Sequence, residues 1–306
     1  MNSKELSNYL EKIRYGRKMT QESFVDGIVS LRQYQRYRYG ESEIPYEKIE
    51  LFASKLGIPT KKLLNEFEKE KNKQATLLST YYNAVINKDL ARVQVIRSEL
   101  KQTIIIEAEK QVFLKHANII HDRYTRKITA FEAFRANAEL VNYPEVLKQA
   151  YFTDIEVLIL STLLDDLENK AHRTLLKRLT DLFDTQESIM AGESDLIYTL
   201  ILWRLAKTYG LQRQFAQVIE LCQLGIERGR KNLQYYLWEY FYYYMAIAYY
   251  RLQDVRHFEN ALFKCYVCLH AEGNQKKIEK FTYWIERDFD IVYHTFIMKY
   301  MKKSIM

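Results

Sequence analysis

Glycine and proline are nearly missing from most of this chain, and that scarcity narrows its folds more than any other feature. Of 306 residues, 9 are Gly and 3 are Pro, about 4% of positions against roughly 12% in average usage. A chain so poor in turn formers is expected to be helical almost throughout, with short connections. At 48% hydrophobic and 28% charged, it can bury a core large enough for about two domains of roughly 150 residues. The formal net charge of +7 suits an anionic partner. Three cysteines, Cys222, Cys265 and Cys268, are too few for a disulfide framework and fit a reducing compartment. Met1 to Arg14 is polar and has no secretory core, so the expected location is cytoplasmic. The most apolar stretch, Tyr240 to Tyr250, is eleven residues long and half tyrosine. A spanning helix needs about 20 apolar residues, so no membrane is expected.

What punctuation exists gathers at the front. Gly16, Gly27, Gly40, Pro45, Gly57 and Pro59 cut the first stretch into five short helices. Leu6, Leu10 and Ile13 repeat at helical spacing. Thr20 can cap Gln21 to Val25, and Ser30 can cap a third helix, Leu31 to Arg38, closed by Gly40. Pro45 opens Tyr46 to Leu56, and Pro59 opens Thr60 to Phe67. The third helix carries Arg32, Gln33, Gln35, Arg36 and Arg38 interleaved with Tyr34 and Tyr37, side chains able to reach base edges and phosphates from a major groove. Residues 12–38 hold seven basic and two acidic residues, whereas residues 41–70 hold five basic and seven acidic. One basic face is the footprint of a small nucleic-acid reader; the bland alternative is a solvated Arg-rich helix.

Five ordered segments carry a resemblance. Leu10-x-x-Ile13-Arg14, Met19 to Glu22, Gly27 to Ser30, Arg36 to Ser42, and Ile49-x-x-Phe52-Ala53-x-x-Leu56-Gly57 follow the pattern of the repressor-like (XRE) helix-turn-helix family. The turn before helix three resembles the shorter variant of the Rgg and PrgX type of regulators. The resemblance implies that Gln21 contacts the DNA backbone and that Ser30, Arg32, Gln33 and Arg36 read the groove; on charge alone, Arg17 and Lys18 are expected phosphate contacts. Arg38 departs from the pattern, because the family usually has an acidic residue there that pairs with the arginine matching Arg14. Either Glu41 or Glu43 substitutes, or both arginines face phosphate.

From Thr76 onward five polar breaks recur about every 40 residues: 87–89, 126–128, 168–170, 211–213 and 254–256. The last two units superpose at an offset of 43, which sets Leu205 on Ala248, Phe215 on Phe258 and Cys222 on Cys265. This spacing predicts an array of helical hairpins with a concave surface. Met245-Ala246-x-Ala248-Tyr249-Tyr250-x-Leu252 resembles the first helix of a tetratricopeptide repeat, with the small residue of the second helix mostly lost. In that register Tyr240, Tyr243, Tyr250, Arg204, Lys207 and Arg123 are concave. Arg204 interrupts an apolar helix, where an unpaired charge would be costly. It either pairs with a neighbouring carboxylate such as Asp165 or captures a ligand carboxylate or carbonyl. The tyrosines are either core or an amphipathic wall for a peptide. Asn118 is placed to bond a peptide backbone or a neighbouring helix.

Enzymatic readings fare badly. Cys265-x-x-Cys268 has no second pair, His116 and His121 are five apart, and neither a glycine-rich phosphate loop nor a nucleophile elbow occurs. No metal, cofactor or catalytic residue is expected. The fold expected is all-α, with an XRE-type five-helix domain over residues 1–69, a linker over 70–80 and a tetratricopeptide-like solenoid over 81–306. That layout is similar to the cytoplasmic peptide-pheromone receptors of the RRNPP family. The resemblance implies a quorum-sensing transcription regulator, a homodimer on a double-stranded DNA operator, whose repeats bind a short signalling peptide; the repeat register puts the candidate contacts at Arg204, Lys207, Tyr240, Tyr243, Tyr250, Asn118 and Arg123. The rivals are a phage or plasmid repressor whose repeats only dimerise or bind a protein, and a repeat scaffold or inhibitor without DNA binding.

Overall fold

The computed structural model describes residues 2–165, 169–185 and 195–305. The described residues form sixteen α-helices and one short 3-10 helix, Glu145–Lys148, with no strand among them. Internal contacts divide the chain into two compact units, Met1–Ala136 and Asn137–Met306.

The first unit begins with α1 (Ser3–Gly16), α2 (Gln21–Val25), α3 (Leu31–Tyr39) and α4 (Tyr46–Lys55). The caps form where the residue types predict them: the Thr20 and Ser30 hydroxyls accept from the Ser23 and Gln33 N–H groups, each at 3.1 Å. Gly40 ends α3 at φ 77°, a left-handed conformation that glycine adopts without strain. Phe24, Phe52 and Tyr34 make an aromatic core, with the Phe24 and Phe52 rings stacked at 5.0 Å.

The fifth helix, α5, runs Thr60–Ile86 and does not stop near Phe67. No breaker follows Pro59 in this stretch, and Leu63, Phe67, Gln74, Leu78, Tyr82 and Val85 come round to one buried stripe. Residues 70–80 therefore lie inside a continuous helix. Glu70 pairs with Lys12 at 2.5 Å, and Lys71 lies 3.6 Å from Glu5 and 3.1 Å from Glu107. The buried Gln74 amide donates to the Ile104 carbonyl and accepts from the Ile106 N–H, both at 3.0 Å. Packed on α5 are α6 (Leu90–Lys101) and α7 (Ala108–Tyr124). Next in the chain come α8 (Ala130–Leu140), α9 (Asp154–Leu163) and α10 (Asn169–Thr185).

The second unit continues with α11 (Asp195–Leu211), α12 (Phe215–Lys231), α13 (Trp238–Arg251), α14 (Val255–Glu272), α15 (Gln275–Phe289) and α16 (Tyr293–Ile305). α11 packs on α12 and α13 on α14, and α13 also lies against α12. Four of the five polar breaks adopt one turn. Lys88, Arg126, Arg213 and Gln253 are left-handed at φ 56° to 60°. The next N–H in each case returns to the carbonyl five residues back: Asp89 to Ala84, Lys127 to Asp122, Gln214 to Tyr209 and Asp254 to Tyr249. This Schellman closure satisfies the last carbonyls of the first helix and offsets the steric cost of a non-glycine left-handed residue. The last turn falls at Gln253, one residue ahead of the expected break, because Asp254 caps α14 by accepting from the His257 N–H at 3.2 Å. The remaining break contains Glu168, which lies outside the described residues.

The offset of 43 survives in the packing, since Leu205, Ala248, Cys222 and Cys265 are all fully buried. α12 carries two small residues where it meets α13. A β-carbon at Gly225 would lie 2.5 Å from the Phe241 ring, and one at Gly229 would lie 2.5 Å from the Trp238 indole nitrogen. These two glycines admit α13 against α12.

Candidate functional site

α3 has two faces. Tyr34 and Tyr37 are buried, whereas Arg32 and Arg36, one turn apart, are exposed, as is Ser30 at the cap. The Gln33 amide donates to the Ser42 hydroxyl at 3.0 Å and accepts from Arg36 at 3.3 Å, and Arg36 lies 3.8 Å from Glu41. Lys18 is exposed, and the exposed Arg17 donates to the Leu56 carbonyl. Gln21 turns inward, its amide donating to Glu11 at 3.0 Å and accepting from Gln35 at 2.9 Å.

At the departure from the pattern, the carboxylate beside Arg14 and Arg38 is Glu11 rather than Glu41 or Glu43. The Glu11 carboxylate, 9% exposed, accepts from Arg14 through both oxygens at 2.8 and 2.9 Å. It also accepts from the Tyr34 hydroxyl at 3.0 Å and stands 3.9 Å from Arg38. The acid sits on α1, where the family pattern would put it at the end of α3. Burial pushes the Glu11 carboxyl up, but hydrogen bonds from Arg14, Gln21 and Tyr34 and the Arg38 charge outweigh it and hold it below the usual range. Sequence reasoning passed over Glu11, although its i, i+3 spacing to Arg14 was a visible signal.

In the second unit, Arg204 is buried and its guanidinium meets Asp165 at 3.2 Å, while Lys207 reaches the other oxygen of Asp165 at 3.0 Å. Of the two fates left open for Arg204, the neighbouring carboxylate is formed. Tyr240 is buried against Phe281 at 4.8 Å, and its hydroxyl accepts from Lys280 at 2.9 Å. Tyr243 is buried, stacks on Trp284 at 5.8 Å and donates to Asp288. Burial works against the Asp288 charge, but Arg287 and Tyr243 hold its carboxyl below the ordinary value. Lys280, Trp284 and Asp288 were missed in the sequence, though their four-residue spacing puts them on one face of α15. Tyr250 stays 44% exposed beside Phe258 and Phe289.

In the first unit, the Asn118 side-chain carbonyl accepts from the Tyr81 hydroxyl at 2.7 Å, and Arg123 is half-buried in the last turn of α7. Burial pushes the Cys222 and Cys265 thiols well up and Cys268 to about 11, so none is a ready thiolate nucleophile at neutral pH. Among the described residues, no group of His, Cys, Asp and Glu is arranged to hold a metal, and no helix is long and apolar enough to cross a membrane.

No family model and no curated protein matches the chain. Solved structures do. ComR from S. thermophilus, in complex with DNA and its signalling peptide ComS, is 15% identical with a TM-score of 0.54, over 92% of this chain and 99% of that one. ComR from Streptococcus vestibularis with its cognate signaling peptide XIP is 16% identical with a TM-score of 0.52, over 92% and 97%. Its apo form is 14% identical with a TM-score of 0.50, over 94% and 99%. The resemblance carried by the motifs is thus matched by a likeness of fold: the chain has the helical architecture of these RRNPP-type regulators.

Proposed function

We propose that this chain is a cytoplasmic, sequence-specific DNA-binding transcription regulator whose repeat region binds a short signalling peptide that changes operator binding or oligomeric state. Residues 1–69 are the DNA-binding domain in this reading, 70–80 the linker, and 81–306 the peptide-binding and dimerising part. The observation that carries it is the division of α3, with Tyr34 and Tyr37 in the core and Arg32 and Arg36 free of it on the surface. The shared fold with a ComR solved on DNA and peptide supports the same reading.

The test is fluorescence anisotropy on a duplex from the region upstream of the gene, titrated with salt. Arg32→Ala should relax preference at one or two base pairs by about 1–3 kcal/mol, whereas Lys18→Ala should weaken every sequence alike and lower the salt slope by about one. Equal behaviour of the two variants across an operator library would defeat the placement of α3. A symmetric dimer follows from the need to span two half-sites, and sedimentation giving only monomer with full operator affinity would exclude it.

Within the second unit, Lys207 and Tyr250 are the proposed contacts for an apolar peptide with a free carboxylate, with Arg204, Tyr240 and Tyr243 supporting them. Asp165 pairs with both Arg204 and Lys207, which brings the two cations together at one place. Lys207→Ala should remove the peptide-induced shift in melting temperature and leave the apo value nearly unchanged; a retained shift would reject the site.

A further inference from the structure

The left-handed turns carry a recurring feature, edged in the second unit by Lys207 and Tyr250. Three residues before the turn residue, two after it and five after it, the chain closes on a small notch. At the Arg213 turn these are Gly210, Phe215 and Val218, lining about 240 Å³. At the Gln253 turn they are Tyr250, Val255 and Phe258, lining about 410 Å³. The Lys88 turn repeats the arrangement with Val85, Leu90 and Val93 around about 150 Å³.

In the second unit the two notches belong to adjacent hairpins, and the ground around them is exposed and aliphatic. Leu211 is 77% exposed, Val255 64% and Leu252 52%. Charge on the same segments is one-sided: 210–218 and 250–258 hold Arg213, Arg251 and Arg256 against Asp254 alone. Asp254 is already engaged, 2.7 Å from the His257 ring and capping α14.

We propose that this edge docks an acidic amphipathic helix of a partner protein, its apolar side chains in the two notches and its carboxylates against Arg213, Arg251 and Arg256. Neighbouring helices pack about 8–10 Å apart, and residues seven apart on one helix are separated by about 10 Å, so a single helix reaches both notches. A nucleic acid fits less well, because Leu211, Leu252 and Val255 offer phosphates no donor.

The probe is a labelled Glu-rich helix of about 15 residues with two leucines about seven apart, titrated with the full chain and compared with its Lys-rich counterpart and a mixed-sequence duplex. The acidic helix should bind and the Lys-rich one should not. Leu211→Asp and Val255→Asp should each weaken binding about tenfold with unchanged melting curves, since both side chains face solvent. Arg213→Glu combined with Arg256→Glu should reverse the preference towards the Lys-rich helix, a gain that misfolding could not produce. No binding, equal binding of both helices, or binding indifferent to the aspartates would overturn the proposal. So would displacement of the probe by the duplex, or aspartates that abolish only self-association. Lys207 lines the first notch and Tyr250 the second, so Lys207→Ala is titrated beside these variants: retained probe affinity separates this inference from the proposed function, and lost affinity reduces it to that function's own site and overturns it.

Discussion

The two units handle charge on their helices in opposite ways. α3 alternates arginine with tyrosine, and the tyrosines go inside while Arg32 and Arg36 stay on the surface. α11 and α13 set single charges within apolar runs, and those charges are fastened inside the chain. Arg204 closes on Asp165, and Glu239, 3% exposed, meets Lys277 at 2.5 Å. A charge in alternation is thus available to a partner, whereas a charge alone in an apolar helix is a structural clasp, because burial without a counter-ion costs more than the fold can carry.

Glu11 is the exception inside the first unit, and it gives the largest expected effect. Glu11→Ala leaves the buried Tyr34 hydroxyl without its acceptor and the Arg14 guanidinium without its counter-ion, with only the Met19 carbonyl to accept from it, and should cost about 3–5 kcal/mol in denaturant unfolding of the full chain. A loss below about 1 kcal/mol would place Glu11 among ordinary surface pairs. Arg204→Ala should cost less, about 1–3 kcal/mol, because Asp165 keeps Lys207.

Packing sharpens the contrast next. Gly225→Ala pushes a methyl into the Phe241 ring and should destabilise by about 1–3 kcal/mol. Gly16→Ala meets open space at the end of α1 and should be neutral or stabilising by up to about 1 kcal/mol. Equal signs in thermal melts would mean that α12 and α13 do not approach as closely as described.

The two buried glutamates should also titrate in opposite senses. The Glu11 carboxyl is held low, so its contribution is present above the ordinary glutamate value and is lost as pH falls through its lower folded value. Burial pushes Glu239 up against the pull of Lys277, so stability falls as pH rises from the ordinary value through the raised one. Hydrogen exchange across that range, compared with Glu11→Gln and Glu239→Gln, should give slopes of opposite sign in α1 and α13, each removed by its own substitution.

Local features of the fold were legible in the sequence where one residue type determines the backbone. Thr20, Ser30, Gly40 and the two front prolines mark helix ends because caps and fixed φ act within a few residues. The repeat was legible through the offset of 43, since equivalent positions need equivalent volume. The covered face was not. Spacing puts Tyr240 and Tyr243 on one side of α13, but only the arrival of Phe281 and Trp284 from α15 decides that this side is closed. The length of α5 was hidden for a similar reason: the burial of Lys71 and Gln74 comes from Glu107, Ile104 and Ile106, which lie some thirty residues further on.

The smallest effect on stability is expected where the DNA-reading proposal is strongest. Arg32 is exposed on α3 and lies outside the Glu11 network, so Arg32→Ala should change unfolding stability by no more than about 0.5 kcal/mol. Arg38→Ala removes a guanidinium near Glu11 and donating to Gln35 at 3.5 Å, and should cost more than Arg32→Ala although both are arginines of one helix. Measured side by side by denaturant unfolding, the pair separates a charge kept for a partner from a charge used by the fold. If Arg32→Ala proves the more damaging of the two, its side chain belongs to the architecture, and α3 does not divide its arginines as its two faces indicate.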